Sequence, residues 1–337
     1  MLMMNHRVIV TRYGGPEVLK VIEEPLRTVG SQEVRVRVQS AGVALADIMR
    51  REGKYPKSPL PFFTPGYDVV GIVDEVGAQV EGYHQGDRVA AFFDGVGGYA
   101  DYVYAQVEEL VPVPVEVDAG AAVAAMLNYV TAYQMLYRIA EVEVGERILI
   151  HGASGGVGTA LLELGRLAKL EMYGTASRSK HDVVAQFGAI PIDYMQEDFV
   201  EVLQQVTPGG VDVVFDPIGG ANFERSLQTL SRQGRFVGYG YTSVLADGKP
   251  EDWVKDWTNL ASRGTTDAGQ PIHVYSITAL RRERLDWFRE DAGVVFTWLA
   301  AGRINPVISQ RIPLHDAAYA QELLEKSQSV GKIVLIN

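Results

Sequence analysis

The feature that most constrains this chain is a glycine-rich turn between a short apolar segment and an amphipathic one. Residues 147–151 (RILIH) have the apolar, β-type character of a strand, and residues 160–168 have the apolar spacing of a helix. Between them Gly152, Gly155 and Gly158 recur at every third position. Glycines at a strand-to-helix turn let the backbone approach a phosphate, and the helix N-terminus stabilises the anion. The turn therefore predicts nucleotide contacts from Ser154, Gly155, Gly156 and Val157.

Beyond this turn, strand-like and helix-like segments alternate. The predicted strands are 172–176, 190–192, 211–215 and 235–239, and the predicted helices are 181–187, 199–206 and 223–231. Such alternation is typical of an α/β fold in which a doubly wound parallel sheet has helices on both faces. Ligands bind such sheets beyond the carboxyl ends of the strands, which is where the glycine-rich turn lies.

The segments on either side of this alternation differ in character. Residues 7 to about 115 are rich in short β-type runs bounded by Gly or Pro, and a helical pattern begins at Asp118. Residues 241–270 are polar and irregular, which predicts a loop over the nucleotide site. A strand is expected near Ile272–Ile277 and a helix over Leu285–Ala301. The chain length of 337 residues is compatible with two domains.

Composition narrows the classes of function. With a net charge of −11 and no run of basic residues, the chain is poorly suited to a nucleic-acid partner. The most apolar stretch, Gly120–Leu136, is interrupted by Asn128 and Thr131, and the N-terminus lacks a signal-peptide core. There is no cysteine, and the six histidines are scattered. We therefore expect a cytoplasmic protein with no integral membrane association and no bound metal.

The turn after the second strand of the predicted sheet bears on the choice of dinucleotide. Proteins that prefer NAD usually place an Asp or Glu there, about 20 residues past the glycines, to bind the ribose 2′-hydroxyl. Here the sequence from Thr175 to Lys180 is TASRSK, with hydroxyls and two cations but no carboxylate. Ser177, Arg178 and Lys180 are suited to a 2′-phosphate, which predicts NADPH as the cofactor. A solvated turn with incidental charges is the alternative.

Several motifs are spread along nearly the whole chain. They are Ala46-Asp47 with Arg51, Gly53 and Tyr55; Pro65-Gly66; Gly86-Asp87-Arg88-Val89; LNYVTAY at 127–133; HGASGGVG at 151–158; Asp216-Pro217-Ile218-Gly219-Gly220; and Gly331-Lys332-Ile333-Val334-Leu335. In these motifs the chain resembles the zinc-independent medium-chain dehydrogenase/reductase superfamily. The similarity is to its quinone oxidoreductase (zeta-crystallin-like) group, near the synaptic vesicle membrane protein branch.

The resemblance implies a discontinuous domain arrangement. Residues 1–125 and 271–337 would form a GroES-like, β-rich catalytic domain, and residues 126–270 would form a Rossmann domain that binds NADPH. It also implies a homodimer, in which the strand near Ile272–Ile277 pairs across subunits.

The resemblance also assigns substrate-cleft residues. Where the superfamily's zinc enzymes carry cysteine and histidine ligands, this chain has Ala44 and Tyr67, and many relatives have asparagine at the first position. Without a Lewis acid the substrate must already be electron-poor. Tyr55 matches the group's cleft tyrosine and is the candidate proton donor or the group that polarises the substrate oxygen. The alternative is a tyrosine that only lines the cleft. Asp47 joins the cleft set. With Arg51 four residues later it is expected to form a structural pair, and an acid–base device is the alternative.

Further cofactor contacts follow from the same resemblance. Thr131 matches a threonine at the nicotinamide end, and Tyr194 matches an adenine-side tyrosine. The backbone at Gly240 would approach the cofactor, and Lys332 would reach it from the last strand. The alternatives are a hydroxyl bonded to its own helix for Thr131, packing for Tyr194, a structural turn for Gly240 and a surface position for Lys332.

Together these features predict an NADPH-dependent, metal-free reductase. It would transfer hydride to a small electrophilic substrate, a quinone or another conjugated carbonyl. Two alternatives stay open: an ene reductase of 2-alkenals or enoyl thioesters, and a non-catalytic NADPH-binding protein.

Overall fold

The computed structural model describes residues 3–246 and 248–337. The chain divides into two compact units, residues 1–130 with 285–337, and residues 131–284. The resemblance implies domain boundaries after residues 125 and 270. The second boundary lies later in the structure because the strand Ile272–Val274 pairs with a strand of the second unit.

The elements follow in chain order. The strands are β1 (Met4–Val10), β2 (Leu19–Pro25), β3 (Glu33–Val43), β4 (Asp68–Val76), β5 (Arg88–Phe92), β6 (Tyr102–Gln106), β7 (Leu110–Pro112), β8 (Arg147–Ile150), β9 (Glu171–Ala176), β10 (Ile190–Asp193), β11 (Val211–Asp216), β12 (Leu230–Gly238), β13 (Ile272–Val274), β14 (Ile308–Pro313) and β15 (Lys332–Ile336). The helices are α1 (Leu45–Arg51), α2 (Ala119–Gln134), α3 (Gly156–Leu167), α4 (His181–Gln186), α5 (Phe199–Val206), α6 (Ala221–Leu227), α7 (Pro250–Arg263), α8 (Ile277–Glu283), α9 (Leu285–Ala300) and α10 (Ala317–Glu325). Short 3-10 turns lie at Pro16–Val18, Val107–Glu109, Arg178–Lys180, Thr242–Leu245 and Leu314–Asp316, and a π-helical turn at Met135–Ile139 follows α2.

The first unit is built on a seven-stranded sheet. Its order is β14-β15-β3-β4-β5-β7, with β6 also paired to β3. In β3, Val34, Val36 and Val38 are buried, while the arginines between them point away from the core. This period of two is what a strand with one buried face requires. A separate antiparallel pair is formed by β1 and β2.

The second unit is a six-stranded parallel sheet with the order β10-β9-β8-β11-β12-β13. Counted from β8, the order is third, second, first, fourth, fifth and sixth, the arrangement typical of dinucleotide-binding sheets. Ile148, Leu149 and Ile150 of β8 are all fully buried, as expected for a central strand covered on both faces. The predicted doubly wound parallel sheet is confirmed.

The prediction of an irregular loop over 241–270 is wrong, because helix α7 (Pro250–Arg263) forms 14 residues at the centre of this segment. Pro250 occupies the first turn, and Gly264, with φ of 63°, ends the helix in the left-handed conformation. Trp253 and Leu260, seven residues apart, are buried on one face. The polar residues between them hid this face in the sequence.

Two other segments end earlier than predicted. The helix predicted over 223–231 stops at Leu227, since Leu230 already begins β12. The strand predicted to reach Ile277 stops at Val274, and Ile277 begins α8 after Ser276 caps it. Within the described residues, none of the helices has both the length and the apolar character needed to cross a bilayer.

Candidate functional site

In the second unit, the glycine-rich turn has the geometry of a backbone cradle. Gly152 has φ of 64°, and Gly155 caps α3 in an extended conformation. A Cβ on Gly158 would lie 2.7 Å from Ala153 Cα and would also overlap the Gly152 carbonyl. Only glycine therefore fits there, and the first turn of α3 is held close against the loop. Ser154 is buried, whereas Gly155 is exposed at the helix N-terminus.

The ends of neighbouring strands bring most of the predicted cofactor residues to the same edge of the sheet. Ser177 follows β9, and Arg178 and Lys180 lie in the 3-10 turn after it. Tyr194 follows β10 and is 55% exposed, so packing alone does not account for it. Gly240 follows β12 and packs against Pro217, where an added Cβ would lie 3.2 Å from the Pro217 carbonyl oxygen. Parallel strands place all these turns at their carboxyl ends.

A buried hydrogen-bond chain ties three of these strand ends together. The His151 ring lies 3.1 Å from Thr175 Oγ1 through Nδ1 and 3.1 Å from Ser226 Oγ through Nε2. Ser226 donates in turn to the carboxylate of Asp216 at 2.6 Å. Burial lowers the pKa of His151, which favours the neutral ring that both contacts can use. The other Asp216 oxygen accepts the backbone N–H of Ile218 at 2.7 Å and so shapes the turn after β11.

Thr131 begins the second unit, and its side chain is 5% exposed. Its Oγ1 has no hydrogen-bond partner among the residues that the structure describes. The alternative that this hydroxyl bonds its own helix is therefore wrong. A buried hydroxyl without a partner costs free energy that a hydrogen bond would recover.

In the first unit, Asp47 is fully buried on α1. Its Oδ2 accepts the backbone N–H of Ala44 at 2.8 Å and the Tyr99 hydroxyl at 2.9 Å. Burial raises the pKa of Asp47 to about 6, against the lowering effect of these two bonds and of Lys332 and Arg50. The contact brings together two predicted cleft residues, Ala44 and Asp47, and fixes the start of the helix.

The predicted pairing of Asp47 with Arg51 is wrong. Arg51 is fully buried and donates to Gly14 O, Gln321 Oε1 and Glu325 Oε2, each at 2.9 Å. Those partners lie far away in sequence, so helical spacing gave no sign of them. Arg51 therefore connects α1 to α10, while the hydrogen bonds of Asp47 are those from Ala44 and Tyr99.

Lys332 is 3% exposed, so the alternative that it lies at the surface is also wrong. Its Nζ lies 3.8 Å from Oδ1 of the fully buried Asp68. The other oxygen of Asp68 accepts the backbone N–H of Leu127 at 3.1 Å. Burial raises the pKa of Asp68, while Lys332 acts in the opposite direction.

Tyr55 and Tyr67 are brought together by a residue that sequence reasoning missed. The Arg50 guanidinium carbon lies 3.7 Å from the centre of the half-buried Tyr55 ring and 5.1 Å from that of Tyr67. Tyr67 is 4% exposed. Burial raises the pKa of its phenol well above the usual value, and the neighbouring Tyr55 adds to the rise.

Arg50, Asp68 and Tyr99 are the residues of this site that the sequence did not reveal. Arg50 sits beside the motif arginine, and nothing in its spacing distinguishes it from a solvated charge. The places of Asp68 and Tyr99 depend on contacts between distant segments. Among the described residues, no group of three or more His, Cys, Asp or Glu side chains is placed to hold a metal ion.

Two family models match the chain. "Alcohol dehydrogenase GroES-like domain" covers residues 30–115, and "Zinc-binding dehydrogenase" covers residues 187–335. The first match confirms the predicted GroES-like character of the β-rich unit.

Similar proteins match over nearly the full chain. The synaptic vesicle membrane protein VAT-1 homolog of Rattus norvegicus is 31% identical over 349 residues, which span 98% of this chain and 83% of that protein. The quinone oxidoreductase of Mus musculus is 30% identical over 334 residues, with 97% and 96% covered. The crystal structure of Escherichia coli quinone oxidoreductase complexed with NADPH superposes with a TM-score of 0.86 at 27% identity, covering 98% of this chain and 100% of that one.

Proposed function

The chain belongs to the medium-chain dehydrogenase/reductase family of oxidoreductases, close to its quinone oxidoreductase and VAT-1 members, and from this premise we propose that it is an NADPH-dependent reductase of quinones or other conjugated carbonyls. When bound, the dinucleotide supplies a hydride from its reduced nicotinamide. The acceptor is a small electrophilic molecule whose own conjugation activates it, so that no metal is needed.

The residues of the second unit suit this cofactor. The backbone of Ser154, Gly155, Gly156 and Val157 holds the pyrophosphate against the N-terminus of α3. Arg178 and Lys180, with Ser177, take the 2′-phosphate. The fit is supported by two observations: the cradle that a Cβ on Gly158 would fill, and the buried Thr131 hydroxyl without a partner in the described chain. Thr131 then binds the nicotinamide end.

The remaining contacts complete the assignment. Tyr194, more than half exposed after β10, lies on the adenine side, and the backbone at Gly240 borders the ribose. Lys332 is proposed as a further cofactor contact, through an ammonium that is held by Asp68 but has no hydrogen-bond partner among the described residues.

In the first unit, Tyr55 is the proposed proton donor. Hydride adds to the electron-poor carbon of the acceptor, an electron pair moves to the acceptor oxygen, and Tyr55 or water provides the proton. Ala44, Asp47 and Tyr67 border the substrate. Ala44 and Tyr67 offer neither thiolate nor imidazole, the ligands that hold a catalytic zinc.

We also propose a homodimer that forms through β13. This strand lies at the end of the six-stranded order, and its outer side has no partner strand among the described residues. On that side the carbonyl oxygen of Gly264 already accepts the N–H of Ile272, so a second copy would pair with the edge beyond it, at Val274. The cytoplasmic location stays a prediction from the sequence.

The observation that carries the proposed function is the adjacency of two turns. The glycine cradle after β8 lies beside the turn after β9. That turn contains Arg178 and Lys180 and lacks the carboxylate that would favour NADH. The test is a panel of ortho-quinones, para-quinones and 2-alkenals, each assayed with NADPH and with NADH in the presence of a chelator. Calorimetry measures the affinity for both dinucleotides.

The expected result is oxidation of NADPH by quinones with chelator present, and a weaker response with NADH. Turnover of 2-alkenals alone would assign the chain to the ene reductases. Tight NADPH binding without oxidation across the panel would make it a non-catalytic binding protein. Failure to bind either dinucleotide, or activity that depends on stoichiometric zinc, would overturn the proposal.

A further inference from the structure

Arg50 is a buried cation whose bonding is incomplete. Its side chain is 7% exposed, and Nη2 donates to the backbone oxygen of Asp94 at 2.9 Å. Nη1 is also buried, and no hydrogen-bond acceptor for it lies among the described residues. The guanidinium stacks on the Tyr55 ring at 3.7 Å. One N–H group of a buried charge is thus left open next to the proposed proton donor.

The neighbouring Arg51, in the same helix, is an arginine with a structural role. Arg51 has two carboxylate partners, Glu325 and Glu52, and two backbone or amide acceptors, Gly14 O and Gln321 Oε1. Arg50 forms no ion pair with any carboxylate of residues 3–246 and 248–337, although the charge of Asp47 interacts with it at longer range. A buried charge without a direct carboxylate partner is costly, and a ligand that accepts its free N–H would lower that cost.

The backbone confines the guanidinium to one place. A Cβ on Gly95 would lie 2.8 Å from both Arg50 Cζ and Tyr67 Cζ, and Gly95 itself has φ of 93°. Glycine is therefore needed there for conformation and for space. With Gly95 on one side and the Tyr55 ring on another, Arg50 is pre-positioned. Fixed donors of this kind stabilise developing charge without the cost of reorganisation.

At position 44 the site lacks a side chain that can donate a hydrogen bond. Its side chain can donate no hydrogen bond to an acceptor oxygen, and its backbone N–H is already used by Asp47. In the proposed reaction the acceptor gains a hydride at carbon, and the displaced electron pair collects on its oxygen. That oxygen needs a donor before a proton reaches it.

We propose that Arg50 is a catalytic residue that binds the developing oxyanion of the acceptor through its Nη1–H. The assignment rests on the proposed function and adds to it the group that stabilises the charge. Tyr55, against which Arg50 stacks, or water then delivers the proton, and the acceptor leaves reduced by two electrons. The dinucleotide is oxidised by the same two electrons.

The test compares wild type with Arg50→Met, Arg50→Lys and the control Arg12→Met, whose side chain is 70% exposed in the same unit. Acceptors are quinones and enones graded by the basicity of the reduced oxygen. We expect Arg50→Met to lower kcat by roughly 10²- to 10³-fold, the usual effect of losing an oxyanion donor. The loss should be greatest for the most basic product oxygens, and the affinity for NADPH should not change.

Arg50→Lys keeps the charge and should recover part of the rate. A second readout needs no turnover: the protein is loaded with NADP⁺ and 4-nitrophenol, and the absorbance of the phenolate is followed against pH. Bound nitrophenol should ionise at lower pH in wild type than free in solution, and Arg50→Met should abolish this shift. Thermal unfolding and NADPH affinity establish that each variant is folded.

The outcomes separate the two proposals. Two results would make Arg50 only a stacked structural cation. In the first, Arg50→Met reduces the acceptors as fast as wild type does. In the second, Arg50→Met loses the same factor in rate on every acceptor and leaves the nitrophenol titration unaltered. If wild type oxidises NADPH with none of the acceptors in the panel, the proposed function fails, and the Arg50 assignment fails with it.

Discussion

Lys332 Nζ lies 3.8 Å from Asp68 Oδ1, and both side chains are almost completely buried. The pair is packed against the backbone of Gly42, where a Cβ would lie 2.8 Å from Lys332 Nζ and would also overlap the Asp68 carboxylate. Neither of the two charged atoms has a hydrogen-bond partner in the described part of the chain. Each charge therefore depends on the other.

Replacing Lys332 with methionine should destabilise the protein, because it leaves the buried Asp68 charge without its cation. We expect the free energy of unfolding to fall by about 3 kcal/mol. Urea unfolding measures this, with Lys20→Met at an exposed position as the control. Adding Asp68→Asn to Lys332→Met should recover part of the loss. An additive double variant would mean that the two side chains do not interact.

Asp47 predicts a defined pH dependence of stability. Because its pKa is raised from 3.8 to about 6 in the folded state, folding favours its protonated form. This contribution is present at low pH and is lost as the pH rises from about 4 to 6, by at most about 3 kcal/mol. Asp47→Asn should therefore gain stability relative to wild type over that interval.

The measurement is urea unfolding of both proteins at several pH values, and the difference between the two curves isolates Asp47. The control is Asp87→Asn, since the Asp87 side chain is 44% exposed. A difference that is flat between pH 4 and pH 6 would contradict a raised pKa for Asp47.

Tyr55→Phe tests the proton donor without disturbing the stack. Phenylalanine keeps the ring against which Arg50 lies at 3.7 Å and removes only the hydroxyl. We expect kcat for quinones to fall by roughly 10²- to 10⁴-fold, the contribution typical of a positioned acid. Steady-state kinetics measures it, with Tyr319→Phe at an exposed site as the control. Unchanged turnover would mean that Tyr55 only lines the substrate site.

Arg178 and Lys180 should set the preference for NADPH. Replacing both with serine removes the charge-assisted bonds to the 2′-phosphate, so the ratio of kcat/KM for NADPH to that for NADH should fall by roughly one to two decades. Because Arg178 is exposed, its part of the preference should also weaken with added salt. Arg232→Ser, at an exposed position of β12, is the control. An unaltered ratio would support the solvated-turn alternative.

The outer edge of β13 offers a test of the homodimer. Tyr275 donates its N–H to Gly238 of β12, so the N–H of the preceding residue, Val274, points to the open side of the sheet. Val274→Pro removes that outward donor and leaves the pairing with β12 in place. Light scattering after size exclusion should then change from a dimer to a monomer. A wild type that is already monomeric would remove the proposal.

Where local spacing decides structure, the sequence was a sufficient guide. Helix α5 over Phe199–Val206 has the predicted bounds, because its apolar residues follow the helical period closely. Helix α7 was missed because its buried residues are few and lie among charged ones. The glycine turn was found because the cradle needs glycine at fixed positions.

The candidate site was only partly accessible to such reasoning. Asp68 and Lys332 are 264 positions apart in sequence, and only the pairing of β15 with β3, next to β4, brings them together. Arg50 follows no recognisable motif, and its importance lies in an unsatisfied N–H group that only three-dimensional packing can create. Contacts between distant segments leave no periodic trace.

The hydrogen-bond chain through His151 sets a condition for redesigning the dinucleotide preference. Thr175, two positions before Ser177, bonds both the His151 ring and the backbone N–H of Gly152. A library that randomises the whole 175–180 segment would therefore disturb the phosphate cradle while it altered the 2′-phosphate contacts. A better library keeps Thr175 fixed and varies only the positions after it in the segment. Selection would then change the discrimination between the two coenzymes without changing the affinity for the diphosphate that they share.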